Sequence, residues 1–206
     1  MTTPWLLRAL SSAQEWGFLG PGPVQGHIDH AAGFWAAWES WSTDAPTAVL
    51  DLGSGGGVPG LVLLAHWGVR TVLLDAMRRR TEFLDRVLRE TDAPAGGEVW
   101  TGRAEVLARQ PGVEGTFDLV TARSFAPPAA TAECAVRFLR VGGVLIVSEP
   151  PDEGNRWPAA GLAELGLSLR VSRREPYGVV VLVKDATTSS RYPRRVGVPQ
   201  KRPLFS

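Results

Sequence analysis

A chain of 206 residues with 44% apolar and 21% charged side chains can bury a sizeable core, so neither a disordered polyelectrolyte nor a fibrous repeat fits. Its 22 basic and 21 acidic residues leave a net charge of +1, which excludes a chain that coats nucleic acid by bulk charge. No apolar run approaches the roughly 20 residues that span a bilayer, and the single cysteine, Cys134, excludes an internal disulfide or a thiolate metal cluster.

The opening MTTPWLLRAL lacks the basic cluster and long apolar stretch of a secretory signal, so the expectation is a cytoplasmic protein. Residues 5–17 carry Leu6, Leu10, Ala13 and Gly17 near helical spacing and predict a first helix. The run GFLGPGPV then breaks the chain. Residues 24–42 predict a second helix, with Val24, Ile28, Ala31, Trp35, Trp38 and Ser42 three or four apart and Phe34 and Trp41 widening the apolar face. We read this tryptophan-rich stripe as a face packed on a core, not as a ligand site.

After a short linker, Asp44-Ala-Pro46, the pattern changes. Apolar runs at Ala48–Leu52, Thr71–Leu74, Glu98–Trp100, Phe117–Thr121 and Val144–Val147 alternate with helical stretches at Val58–Trp67, Arg78–Glu90, Arg103–Arg109 and Pro127–Leu139. Such alternation predicts a parallel sheet with helices on both faces. Two further runs, Leu167–Arg173 and Tyr177–Lys184, joined by Arg174-Glu-Pro176 without a helix, predict an antiparallel hairpin at one sheet edge. The expected division is a helical segment over 1–45 packed on the core, an α/β domain over 46–185 and a basic tail over 186–206. That tail holds Arg191, Arg194, Arg195, Lys201 and Arg202 and no acid, so it carries +5 against −4 for the remainder. With Tyr192 interleaved, it suits phosphate contact and base stacking as well as it suits a solvated terminus.

The strongest chemical signal is AVLDLGSGGGVPG, Ala48 to Gly60. A buried-type strand ends in Asp51 and runs directly into a turn whose Gly53, Gly55 and Gly57 allow sharp bending and close ligand approach. The helix that follows aims its amide N–H groups at the same place, where ligands bind in a doubly wound sheet. Gly55, Gly57 and Gly60 also satisfy a bare G-x-G-x-x-G, which on its own would suit a nicotinamide dinucleotide. S-adenosylmethionine is favoured by Asp51 at the strand end two residues before the first glycine, by Asp75 closing a second strand (LLDAM) where it can accept from ribose hydroxyls, and by the Arg140-Val-Gly-Gly143 strand followed by the hairpin. Asp75 would serve either cofactor. No Asn/Asp-Pro-Pro-aromatic stretch follows the fourth strand, where Ala122-Arg-Ser-Phe125 stands, so methylation of an exocyclic amine of nucleic acid does not fit. Cys134 falls inside a predicted helix as a small buried residue, so thiolate-based methylation of cytosine does not fit either.

Together these stretches resemble the bacterial guanine-N(7) methyltransferases of small-subunit ribosomal RNA, known as methyltransferase G or glucose-inhibited division protein B. The resemblance rests on DLGSGGGVPG, LLDAMRRRTEFL, GRAEVL and FDLVTARSFA, and on RYPRRVGVPQKRPL in the tail; it covers roughly Ile28 to Arg123 and again the tail. It implies the class I S-adenosylmethionine-dependent methyltransferase fold: a Rossmann-like α/β sheet of seven mostly parallel strands with a C-terminal antiparallel hairpin, plus N-terminal helices. It implies cofactor contacts from Gly53 and Val58 at the methionine end, from Ala104 and Glu105 along the adenine, and from Arg123 beside the methyl donor. Glu105 reads equally as a helix-start acid. Arg123 is suited to a carboxylate or an RNA phosphate. The expected partner is small-subunit ribosomal RNA or the assembling subunit, with no membrane, no metal and a monomeric chain.

Guanine N(7) carries a lone pair and no proton, so no general base is required, and the absence of an obvious acid–base pair agrees with the chemistry. Two departures stand out. Ser148-Glu-Pro-Pro151 replaces the lysine-glycine pair usual in that family after the fifth strand, and the N-terminal region lacks its Tyr-Asn-Leu-Thr stretch, keeping only Gly26–Phe34 with His27 and His30. His30 is within reach of the site, although a capped or satisfied surface histidine is the favoured reading. Arg78, Arg79 and Arg80, at a helix start where positive charge is unfavourable, hint at an RNA-facing role. The alternatives are a methyltransferase acting on another RNA or a small molecule, a non-catalytic ribosome-associated RNA-binding protein, and, more remotely, a nicotinamide oxidoreductase.

Overall fold

In the computed structural model, which describes residues 2–90, 92–150, 156–173 and 177–206, the chain runs α1 (Pro4–Glu15), α2 (Val24–Trp41), β1 (Ala48–Leu52), α3 (Gly60–Trp67), β2 (Arg70–Asp75), α4 (Arg78–Leu88), β3 (Gly97–Thr101), α5 (Ala104–Leu107), β4 (Phe117–Ala122), α6 (Pro128–Val136), β5 (Leu139–Ser148), α7 (Ala159–Leu165), β6 (Leu167–Arg173), β7 (Val179–Lys184) and α8 (Val198–Lys201). The seven strands form one sheet in the order β3-β2-β1-β4-β5-β7-β6. The first five are parallel, and β7 pairs antiparallel with β5 on one side and β6 on the other. This is the class I methyltransferase sheet. The chain moves outward from β1 to β3 and returns on the other side at β4, so the carboxyl ends of β1 and β4 flank the switch point. In register, Asp51 lies between Leu73 of β2 and Thr121 of β4.

Alternation along β1 sends its side chains to two different cores. Leu50 and Leu52 pack with Ala132, Ala135 and Val136 of α6 and with Leu162 and Leu165 of α7. Val49, on the opposite face, packs with Phe34 and Trp38 of α2 and Leu63 of α3. On the α2 and α3 side a further core joins Trp5, Leu6, Leu10 and Ala13 of α1 to Leu61 of α3 and Phe83, Leu84 and Val87 of α4. Helix α1 starts where Thr3 caps it, its side chain accepting from the Leu6 amide at 3.3 Å, with Pro4 in the first turn. The Trp5 indole donates to the Val87 carbonyl at 3.2 Å and ties α1 to α4.

The second helix forms as expected, but its buried face centres on Ile28, Ala31, Phe34, Ala37 and Trp38, whereas Trp41, at the last residue, is 43% exposed. Helix α7 was not expected. Its AAGLAEL run buries only Leu162 and Leu165, too few to mark a helix in sequence, and Gly166 ends it in the left-handed conformation. The Arg174-Glu-Pro176 connection lies outside the described residues.

The basic tail is docked along the α6 face. Tyr192 is 2% exposed and its hydroxyl donates to Glu164 at 2.6 Å. Glu133 of α6 is fully buried and accepts from the Arg194 amide at 2.7 Å and from its guanidinium at 2.6–3.0 Å. Arg109 donates to the carbonyls of Arg191 and Pro193. Arg194→Ala leaves the buried Glu133 carboxylate with the backbone amide but no counter-charge; urea unfolding should show a loss of about 3 kcal/mol. Arg195→Ala, at an exposed side chain, should stay within about 0.5 kcal/mol.

Candidate active site

Two carboxylates organise the glycine turn, each by holding a backbone amide. Asp51, 1% exposed, accepts from the Gly60 amide at 3.0 Å through one oxygen and from the Thr121 hydroxyl at 3.0 Å through the other. A side chain at Gly60 would collide with Leu73 at 2.3 Å and with Asp51 at 2.7 Å, so only glycine lets α3 begin this close to the sheet. Burial pushes the Asp51 carboxyl up to about 6, against hydrogen bonds from Thr121, Ser54 and the Gly60 amide and the charge of Arg123, which pull it down. Asp75, 4% exposed at the end of β2, accepts from the Gly55 amide at 3.0 Å and from the Met77 amide at 2.8 Å, with Arg80 at 3.4 Å. It links the turn to the start of α4.

A cavity of about 190 Å³ opens beside the turn, lined among others by Gly53, Asp75, Met77, Glu105, Phe125 and Gln200. Gly53 has φ +76°, and a side chain there would meet the Phe125 ring at 2.6 Å, so the ring closes down on the turn. Glu105 is buried. Although desolvation works the other way, the Gly197 amide at 3.0 Å and Arg103 at 3.0 Å hold its carboxyl below the usual range. Through Gly197 the docked tail is fastened to a wall of this cavity, and Gln200 of α8 forms part of the lining.

A second cavity, of about 430 Å³, adjoins the first at Ser124 and Phe125, which line both. Ser124 has φ +52°, the one positive value at a non-glycine among the described residues. That conformation is costly for a side-chain-bearing residue, and such strain is concentrated at functional sites. His30, Ser148, Glu149, Arg156 and Trp157 complete its walls. An adjoining cleft holds Arg123, whose guanidinium lies 3.2 Å from His27 Nδ1 and whose Nη1 is buried with no hydrogen-bond partner among the described residues. His30 Nδ1 is in the same condition. Burial first, then the charges of Arg123 and His27, hold His30 below the usual histidine range, so it is neutral at physiological pH.

The structure therefore brings Gly53, Asp75, Ala104 and Glu105 together around one cavity and sets Arg123 in the neighbouring cleft. Asp51 and Val58 lie beneath the turn, Val58 in the apolar core with Leu61, and Gly55 and Gly57 shape the turn at φ +55° and +94°. His30, expected at the surface, faces both the second cavity and the cleft, because α2 packs across β5 and β7 and points its first turns at the carboxyl ends of the strands. Of the three arginines opening α4, Arg78 pairs with Glu82, Arg79 stacks over Trp16 and Phe18, and Arg80 meets Asp75, so local partners offset the unfavourable helix-start charge. In the tail, Arg191 pairs with Glu164 and Arg194 with Glu133, whereas Arg195, Lys201 and Arg202 are exposed. Ser124, Phe125, Met77 and Gln200 were not foreseen as site residues. The signal each carried was its place in a quoted stretch: Ser124 and Phe125 in FDLVTARSFA, Met77 in LLDAMRRRTEFL and Gln200 in RYPRRVGVPQKRPL.

The family model described as rRNA small subunit methyltransferase G matches residues 29–150. The chain belongs to the rRNA small subunit methyltransferase G family. Relatives named ribosomal RNA small subunit methyltransferase G include that of Roseiflexus castenholzii, 33% identical over 175 residues and covering 81% of this chain and 74% of that protein. That of Symbiobacterium thermophilum is 38% identical over 171 residues, covering 76% and 69%. Among solved structures, a putative O-methyltransferase from Klebsiella pneumoniae aligns with TM-score 0.59 at 14% identity over 90% of this chain and 92% of its own. A SAM dependent methyltransferase from Aquifex aeolicus aligns with TM-score 0.58 at 14% identity over 84% and 97%. These two likenesses show the fold; membership of the methyltransferase G family makes the chain an enzyme of methyl transfer.

The buried acid of this methyltransferase G chain sets a pH dependence. The folded state binds the Asp51 proton more tightly than the unfolded chain, so the stability it contributes is fully present below the unfolded value of 3.8 and is lost as pH rises through about 6. Urea unfolding at a series of pH values should show wild type losing about 3 kcal/mol relative to Asp51→Asn between about pH 4 and 7. Parallel curves for the two proteins contradict this account.

Proposed function

We propose that the chain transfers the methyl group of S-adenosylmethionine to N(7) of a guanine in small-subunit ribosomal RNA. The observation that carries this reading is the pair of cavities that adjoin at Ser124 and Phe125, one at the glycine turn and the other with room for a base. Family membership supports the choice of RNA. The residues around the first cavity suit the cofactor: a buried carboxylate at the end of β2, glycines with positive φ and a second acid in Glu105. When bound, S-adenosylmethionine supplies an electrophilic methyl group.

The chain's own task is to bind, orient and exclude water. Asp75 retains acceptor capacity for ribose hydroxyls beyond the two amides it holds. Ala104 and Glu105 flank the base, and Arg123 directs its unpartnered Nη1 at an anion, either the cofactor carboxylate or an RNA phosphate. Exposed Arg195, Lys201 and Arg202 meet RNA phosphates. Because N(7) holds no proton, alignment alone is the main source of acceleration, worth about 7–11 kcal/mol when near-attack geometry is held. On this reading the enzyme works in the cytoplasm, where ribosomes assemble; no described helix is long and apolar enough to cross a membrane.

The direct test is methyl transfer from labelled S-adenosylmethionine to small subunits lacking their N(7) mark, with naked RNA and no RNA alongside and chain cleavage at 7-methylguanosine to locate the product. Label at one guanine is expected; label in the arm without RNA would point to a small-molecule acceptor. Arg123→Ala should lower kcat/KM at least about a hundredfold while the protein still folds. Arg195→Ala should lessen the steepness of the salt dependence by about one phosphate contact.

A further inference from the structure

The wider cavity contains a side chain with no part in the proposal above. Glu149 follows β5, where its amide donates to the Gly178 carbonyl at 2.8 Å, and its side chain is only 12% exposed. Arg156 lies 3.5 Å from one carboxylate oxygen. Phe125, Val147 and Trp157 give the same cavity flat apolar walls, and about 430 Å³ accommodates a single purine.

We propose that Glu149 reads the target base, its carboxylate accepting N1–H and N2–H of guanine. The two donors sit side by side on guanine, matching a carboxylate that accepts through two oxygens, whereas adenine presents an acceptor at N1 and no amino group at C2. N(7) lies on the opposite edge of the purine. A guanine held by Glu149 therefore turns N(7) away from the carboxylate, and the methyl group reaches it where the two cavities adjoin, at Ser124 and Phe125, which line both. The charge of Glu149 has a second consequence. Methylation at N(7) leaves the purine positively charged, and a buried anion at its far edge stabilises that charge as it develops. His30, which lines the same cavity with its Nδ1 unpartnered, stays neutral and so does not oppose it.

This rests on the proposed N(7) chemistry, and the test separates the two. Small-subunit RNA carrying guanine or inosine at the mapped position is assayed with wild type, Glu149→Gln and Glu149→Ala. Inosine lacks the N2 amino group and nothing else. Wild type should prefer guanine by about tenfold to a hundredfold in kcat/KM, the effect of one charge-assisted hydrogen bond. Both variants should bring the ratio close to one while binding S-adenosylmethionine, measured by calorimetry, as wild type does; the near-isosteric Gln guards against a folding defect in the Ala variant. A wild type that labels guanine without preferring it to inosine, or a Glu149→Gln variant that keeps the preference, overturns the assignment of Glu149 alone. A wild type that labels no ribosomal guanine overturns both this assignment and the proposed function.

Discussion

One buried carboxylate holds the site together. Asp51 sits at the switch point of the sheet with an oxygen on the Gly60 amide and an oxygen on the Thr121 hydroxyl, so β1, β4 and the first residue of α3 are fixed to one another. Placing a charge there is costly, as the raised carboxyl affinity for its proton shows. The position is tolerated because two directed hydrogen bonds and a nearby guanidinium compensate. Everything that faces the cavities, from the glycine turn to Arg123 at the end of β4, is displaced if that carboxylate moves.

The second organising contact reverses the apparent role of the tail. A run of five cations without acids looks like an arm for phosphates. Two of those cations instead satisfy carboxylates of the folded domain, one of them fully buried. The outcome is mechanical: Gly197 reaches Glu105 and α8 closes one side of the cavity beside the glycine turn. Exposed Arg195, Lys201 and Arg202 are then presented from a fixed surface. A fixed array of cations gives RNA binding an orientation that a free arm lacks.

Two residues line both cavities, Ser124 in a strained backbone conformation and Phe125 with its ring against Gly53. The strain at Ser124 persists because Phe125 is packed on the turn and β4 is hydrogen-bonded on both sides. That arrangement sets Phe125 between the glycine turn and the space where a base would sit. The outer space is lined by Glu149, Arg156 and the neutral His30, and Arg123 stands with His30 in the adjoining cleft, so charges of both signs lie within a few side chains of one another.

Much of the fold was legible from local pattern. The strands recur where Val- and Leu-rich runs end in turns, and the strand–glycine–helix unit with Asp51 and Asp75 lies within one continuous stretch, so its chemistry shows in spacing alone. The antiparallel hairpin followed from two apolar runs with no helix between them. What the sequence did not disclose involves partners far apart in the chain: Arg194 with Glu133, Gly197 with Glu105, and His30 facing Ser148 and Glu149. Short-range periodicity reports which face of an element is apolar, but not which distant element covers it. Helix α7, with two buried residues, and the left-handed Ser124 left no periodic trace at all. By itself the sequence determined the sheet, the glycine turn and its acids, because those depend on backbone geometry and neighbouring residues. Tertiary packing alone decided which cations remain exposed, which histidine faces the site and where an anion meets the substrate cavity, because each depends on a contact closed across the folded core.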